Sequence, residues 1–162
     1  MFSVSLANAP APKIYFILLL IISPLIISAS FTPDFLNAYP RFRPWQVEPV
    51  YHMSKWIMAG QFELSYGISF VMVELMFRGA LIIGMSTLMG KNSILPMVAT
   101  YAFIHFGKPI GESISSVFGG YVLGIIAWRT RSIWGGVIIH LGVAWLMEWM
   151  GFIQFYIIGM KR

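Results

Sequence analysis

The sequence has no cysteine and little charge, and each shortage removes a class of chemistry. Without cysteine there is no disulfide, no thiolate nucleophile and no thiolate metal ligand. Charged residues are 10% of the 162, against about a quarter in a soluble domain. So few charges cannot cover a surface that faces water. The net charge of +5 is scattered along the chain, which suits anionic headgroups of a lipid bilayer. It forms no basic patch, and no nucleic-acid partner is expected. What is abundant is apolar: 58% of residues are hydrophobic, against about 45–50% in soluble domains. The expected fold is an all-α, polytopic transmembrane helix bundle of five or six spans at about 20 residues each. It forms a single membrane domain over 14–162 behind a loose N-terminal tail, 1–13. The expected location is integral and multi-pass, in the cell (plasma) membrane.

Along the chain, Ile14–Ile27 is apolar and interrupted at Ser23-Pro24. It reads either as a signal peptide ending at Ser28-Ala29-Ser30 or as a retained first helix kinked at Pro24; the retained helix is the expectation. Phe31–Pro49 holds four prolines with Arg41, Arg43 and Trp45. Repeated proline excludes a continuous helix, and Arg beside Trp suits the headgroup level. Val50–Gly60 reads as a short interfacial helix, with His52 solvated. Further spans are expected at 62–90, 93–106, 111–128 and 133–150. The turn Gly90-Lys91-Asn92 separates the first two, and Gly151 is expected to break the last before a short apolar tail. Ser116, Gly120 and Gly124 form a small-residue stripe that permits close helix packing. Basic residues divide almost evenly between the two sides of such a bundle, so they do not set its orientation.

Ionisable residues inside these runs carry the chemistry. A charge at the centre of a span costs about 2.5–3.5 kcal/mol on insertion scales. Glu74 and Arg78 are four residues apart and share a helix face, where they can pair. Glu63, Gly67, Glu74 and Arg78 fall on one stripe, which must face protein or water. Glu74 lies roughly 18 Å into its span, at 1.5 Å per residue. His105, His140 and Glu112 reach the same half of the bilayer from other spans. These spans thus build one polar pocket, entered from the Arg41 side. A carboxylate beside two imidazoles can deprotonate water and return the proton to a leaving amine, and an imidazole N–H can stabilise an oxyanion. Two His and a carboxylate can also bind zinc, but no His-Glu-x-x-His pair is present. Zinc is therefore the second choice, and no cofactor is expected. A proton or ion carrier is a further reading, because intramembrane Glu and His also mark relays.

These residues resemble the CaaX-protease and bacteriocin-processing (CPBP) intramembrane proteases, also called Abi proteases. That family carries Glu-Glu-x-x-x-Arg, Phe-x-x-x-His and His-x-x-x-Asn on separate helices. Val73-Glu74 through Arg78-Gly79 resembles the first motif, Tyr101 through His105 the second, with Tyr for Phe, and His140 through Ala144 the third. The resemblance spans about Phe62 to Met150, with motif order intact. Val73 stands where the family has its first Glu, and Ala144 where it has Asn. The resemblance implies a glutamic-type intramembrane endopeptidase. Glu74 would activate water with His105, His140 would polarise the scissile carbonyl, and Arg78 would orient Glu74. Glu112 and Glu148 are accessory candidates, Glu148 reaching towards the vacancy left by Ala144. The implied substrate is a membrane-tethered or hydrophobic peptide. A chain this small has little soluble surface for recruiting one, so a partner membrane protein is expected. The two departures also admit an inactive relative acting as a membrane binding or immunity protein.

Overall fold

The computed structural model describes residues 12–47 and 53–156. The tail 1–11, His52 and the end of the apolar C-terminal tail with Lys161 and Arg162 lie outside the described residues, as does the start of the expected interfacial helix. The described residues form an all-α membrane helix bundle. α1 is Pro12–Ala29, α2 Pro33–Ala38 and α3 Lys55–Glu74. α3 continues as a π-helical segment over Leu75–Gly84, followed by the single turn α4, Ser86–Met89. α5 is Ile94–Phe103, α6 Ile110–Thr130 and α7 Trp134–Tyr156. Among the described residues, three stretches are long and apolar enough to cross a membrane: Lys55–Phe103, Ile110–Thr130 and Trp134–Tyr156. Lys13–Ala29 is a shorter apolar helix. The outward side chains are large and apolar, among them Leu20, Leu64, Ile110 and Phe118. A surface of this kind is at home in lipid.

The Lys55–Phe103 stretch doubles back. Gly90 has φ 57°, a left-handed conformation that glycine adopts without steric cost. The rings of Phe77 and Tyr101 lie 5.2 Å apart as a result, where a straight helix would separate them by about 36 Å. α5 then packs on the small-residue stripe of α6. A Cβ at Gly120 would meet Tyr101 at 3.0 Å, and one at Gly124 would meet Met97 at 3.0 Å. Phe77, Ile82, Met97 and Tyr101 form the core there.

Several expected boundaries move. No break separates an interfacial helix from the following span: Ser54 caps the Trp56 N–H at 3.3 Å, and α3 runs through Gly60 to Glu74. Gly151 does not end α7. It lets the strap before α3 approach, since a Cβ there would crowd Pro40 and Tyr39. α1 also runs through Pro24. Proline cannot donate to the Leu20 carbonyl, and the Ser23 hydroxyl takes that acceptor at 2.9 Å. In the strap, Arg43 donates to Leu36 O at 2.8 Å and Asn37 O at 3.0 Å, closing the end of α2. Trp45 packs edge-on against Phe152 and Tyr156. The Arg-Trp segment is thus folded onto the bundle.

α7 is the central helix, and its glycines make it so. Gly135 abuts the Tyr15 ring and Gly142 abuts Leu19, both from α1. Gly67 of α3 sits against Trp145 and Leu141 from the other side. α1 therefore forms a wall of the bundle, running parallel to α7. Gly135→Ala should lower thermal stability in detergent by about 1–3 kcal/mol through overpacking. Gly119→Ala, with open space at its Cβ, should be neutral or gain up to about 1 kcal/mol of helix propensity. Equal melting temperatures for the two variants would refute this account of α7.

Candidate functional site

The site begins where α3 changes character. Glu74 is its last α-helical residue, and beyond it the pitch widens, so that Met85 N–H reaches back to Ala80 O. Such π geometry often occurs at functional sites. The Glu74 side chain is fully buried. Its Oε1 accepts from Arg78 Nη1 at 2.8 Å and lies 3.0 Å from His140 Nδ1 on α7. Gly136 makes this possible, because a Cβ there would overlap Glu74 Oε2. Oε1 serves as acceptor for both neighbours, so His140 donates from Nδ1 and carries its free lone pair on Nε2. That Nε2 lies 3.3 Å from the Tyr101 hydroxyl.

His105 follows α5, in a turn completed by Gly107 at φ 88°. Its Nδ1 is 2.8 Å from the Tyr101 carbonyl oxygen. A carbonyl only accepts, so His105 also donates from Nδ1 and leaves Nε2 as its basic atom. Tyr101 joins the two imidazoles. Its ring lies 4.5 Å from that of His105, with the Arg78 guanidinium 4.5 Å from its centroid. Phe70 packs on His140 at 4.4 Å. A cavity of about 110 Å³ opens among Tyr101, His105, Lys108, Glu112, His140 and Ala144. At its rim, Glu112 accepts from Tyr39 Oη at 2.7 Å and Lys108 Nζ at 2.6 Å. Burial, reinforced by Glu112, holds the Tyr39 phenol well above its ordinary value, so it remains an O–H donor.

Two of the expected placements change. Glu74 does not line the cavity: its carboxylate is turned into the α3–α7 contact, behind His140. Glu148 stands apart from the imidazoles. Both its oxygens accept the Arg41 backbone N–H, at 3.2 and 3.0 Å, and it faces a different cavity beside Glu63. It does not fill the space at Ala144. Glu112 does join the His cavity, from its rim. Val73 is partly buried against the Phe77–Tyr101 core. Among the described residues, no three His, Asp or Glu side chains are placed to hold a metal ion. Tyr39, Lys108 and Gly136 were not singled out for the site from the sequence, and Tyr101 entered only as the first position of the second motif. Tyr101 had a signal, one helical turn before His105 on the same face. Tyr39 had none, because its contact with Glu112 spans two distant segments.

Burial pushes the His105 imidazole below its usual value of 6.5, against the opposing effect of its bond to the Tyr101 carbonyl. The sign follows from the charge: a buried imidazole resists taking up a proton. Its neutral, Nε2-basic form should therefore persist into mildly acidic solution. Nitrogen NMR of the imidazoles should show His105 protonated on Nδ1 at pH 7 and titrating below 6.5. A midpoint above 6.5 would contradict the buried geometry.

Residues 61–146, more than half of the chain, match the family described as type II CAAX prenyl endopeptidase Rce1-like. No match is found among curated proteins or among solved structures. The matched stretch runs from within α3, ahead of Glu74, to just past His140 and Ala144, and so contains all three motifs. Motif order, the membrane bundle and the family match agree, and the chain belongs to the Rce1-like family of type II CAAX prenyl endopeptidases.

Proposed function

We propose that this integral membrane protein is an intramembrane endopeptidase in which Glu74 acts through His140. The observation that carries the reading is the 3.0 Å contact between Glu74 Oε1 and His140 Nδ1, which leaves His140 Nε2 on the cavity side. A carboxylate behind an imidazole fixes its tautomer and stabilises the imidazolium that forms when it takes a proton. Water held near His140 Nε2 and His105 Nε2 loses a proton to His140. The resulting hydroxide attacks the scissile carbonyl, and the tetrahedral oxyanion accepts a hydrogen bond from the Tyr101 hydroxyl, which His140 Nε2 releases on taking up the proton. His140 then returns its proton to the leaving amine. Arg78 holds Glu74 in place from below. Glu74 is a positioning residue in this scheme and need not contact the substrate. No metal or other cofactor enters it.

The cavity has room for a few waters and a peptide carbonyl, since each water occupies about 30 Å³ of liquid volume. A longer peptide would enter past the Tyr39–Glu112–Lys108 rim. The family description supports a substrate with a prenylated, membrane-tethered C-terminal segment. We assign the protein to the cell membrane as a multi-pass protein, with a partner membrane protein helping to recruit substrate. A second reading, an inactive relative that binds without cutting, is favoured by Val73, by Ala144 and by the inward turn of Glu74.

The test is cleavage of a prenylated, membrane-tethered peptide by purified protein in lipid nanodiscs. His140→Ala should reduce the rate about 100-fold or more, the range of general acid–base catalysis. Glu74→Gln should lower kcat by about the same factor while leaving KM near wild type. Activity should survive a chelator. Wild-type rates in both variants would overturn the proposal. An inert wild type made active by Val73→Glu with Ala144→Asn would establish the binding reading instead.

A further inference from the structure

Arg78 apart, the described cations divide four and four between the two ends of the bundle, but the carboxylates do not divide. Asp34, Glu63, Glu112 and Glu148 all belong to the half that holds the strap, and Glu74 is buried between α3 and α7. Three cations at the strap end are engaged within the protein. Lys108 pairs with Glu112, Arg43 donates to two carbonyls of α2, and Arg41 lies over the Tyr66 ring. The other end carries Lys13, Lys91, Arg129 and Arg131, all exposed. Helix contacts gather these four. Tyr15 meets Gly135, which brings Lys13 near the turn that joins α6 to α7. Ile94 meets Gly124, which brings Lys91 near the last turn of α6 and Arg129. The Arg131 guanidinium donates to the Ser86 hydroxyl of α4. Among the described residues, none of the four pairs with a carboxylate. α1, α5 and α7 also begin at this end, and none has an acidic residue in its first turn. Their N-terminal dipoles add partial positive charge to the same surface.

We infer that this end of the bundle binds the headgroup of an anionic phospholipid, whose phosphate has no ammonium to balance it. Each lysine or arginine near a membrane surface strengthens such binding. The apolar flanks favour a lipid over other anions. Ile14 and Ile17 beside Lys13, and Leu88 and Leu95 on either side of Lys91, are large and exposed. Acyl chains cover them while the headgroup meets the cations. A soluble acidic protein would leave them uncovered, and a free phosphate gains nothing from them. A zwitterionic lipid brings its own ammonium towards the cations and is repelled by them. The rim of the His cavity, at Tyr39, Lys108 and Glu112, lies at the strap end. This binding therefore does not depend on proteolysis.

The experiment uses the full chain labelled with 5-fluorotryptophan in maltoside micelles, observed by fluorine NMR. Resonances are assigned by single Trp→Phe variants. The probes are dioleoyl phosphatidylglycerol, dioleoyl phosphatidylcholine, glycerol 3-phosphate and hexaglutamate. Phosphatidylglycerol should shift the Trp134 signal, next to the cations, saturably. It should move Trp56, at the strap end, no more than phosphatidylcholine does. It should bind about 25-fold more tightly than phosphatidylcholine, at about fivefold for each of two cations met. Lys91→Gln with Arg129→Gln should lose about that 25-fold and leave phosphatidylcholine unchanged, which shows the bundle intact. Lys91→Arg with Arg129→Lys keeps both charges and should bind phosphatidylglycerol as wild type does. The inference is overturned if the glutamine pair keeps wild-type affinity, if the charge-keeping pair loses it, or if phosphatidylcholine matches phosphatidylglycerol. Glycerol 3-phosphate shifting Trp134 at the same concentration would overturn it in favour of a free phosphate, and hexaglutamate doing so in favour of an acidic protein.

Discussion

The bundle depends on burying one carboxylate where lipid would not tolerate it. Glu74 is fully enclosed, and an unpaired charge at that depth would cost several kcal/mol. Arg78 and His140 meet the cost from two directions, one from the next turn of the same helix and one from α7. The contact requires α3 and α7 to approach closely. Gly136 permits this opposite Glu74, and Gly67 permits it two turns earlier against Trp145. The helix pair that brings the site together is thus held at the distance its charged group needs.

The same contact orients the chemistry. A lone histidine in an apolar bundle has two tautomers and no fixed proton. Glu74 selects one for His140, and the Tyr101 carbonyl selects the matching one for His105. His140 Nε2 then accepts from the Tyr101 hydroxyl, and His105 keeps its basic Nε2, with Tyr101 between the rings. Polar groups in a low-dielectric interior act strongly on one another, so small displacements of α7 would alter both the packing and the proton positions. The π-helical segment after Glu74 adds to this arrangement, because it widens the helix directly below the carboxylate.

The two cavities lie along different stretches of the α3–α7 pair. His140 and Glu148 lie two turns apart on α7, yet they face different spaces. Glu63 and Glu74 lie three turns apart on α3: Glu63 lines one cavity with Glu148, and Glu74 meets His140. The antiparallel crossing sets this pairing. It places an aromatic cavity at the end where α3 begins and the imidazole cavity deeper in the bundle.

Composition and spacing determined much of this protein. The shortage of charge and the apolar runs gave a helical membrane bundle, since lipid satisfies no backbone polar group. Gly90 marked a reversal, Ser116, Gly120 and Gly124 marked a packing face, and the interval from Glu74 to Arg78 marked a buried pair. These features are local and follow from helix periodicity. Other features depended on which helices meet. That Gly60 and Gly151 lie within helices was not legible, because glycine reads the same whether it breaks a helix or admits a neighbour. Glu74 reads as a pocket-facing base in sequence but turns behind His140, since Gly136 on another helix leaves room for it there. Glu148 reads as an accessory to His140, yet the strap backbone at Arg41 claims it. The sequence determined which residues had to be buried and paired, and only the tertiary structure decided with whom, because pairing across helices depends on register and close approach.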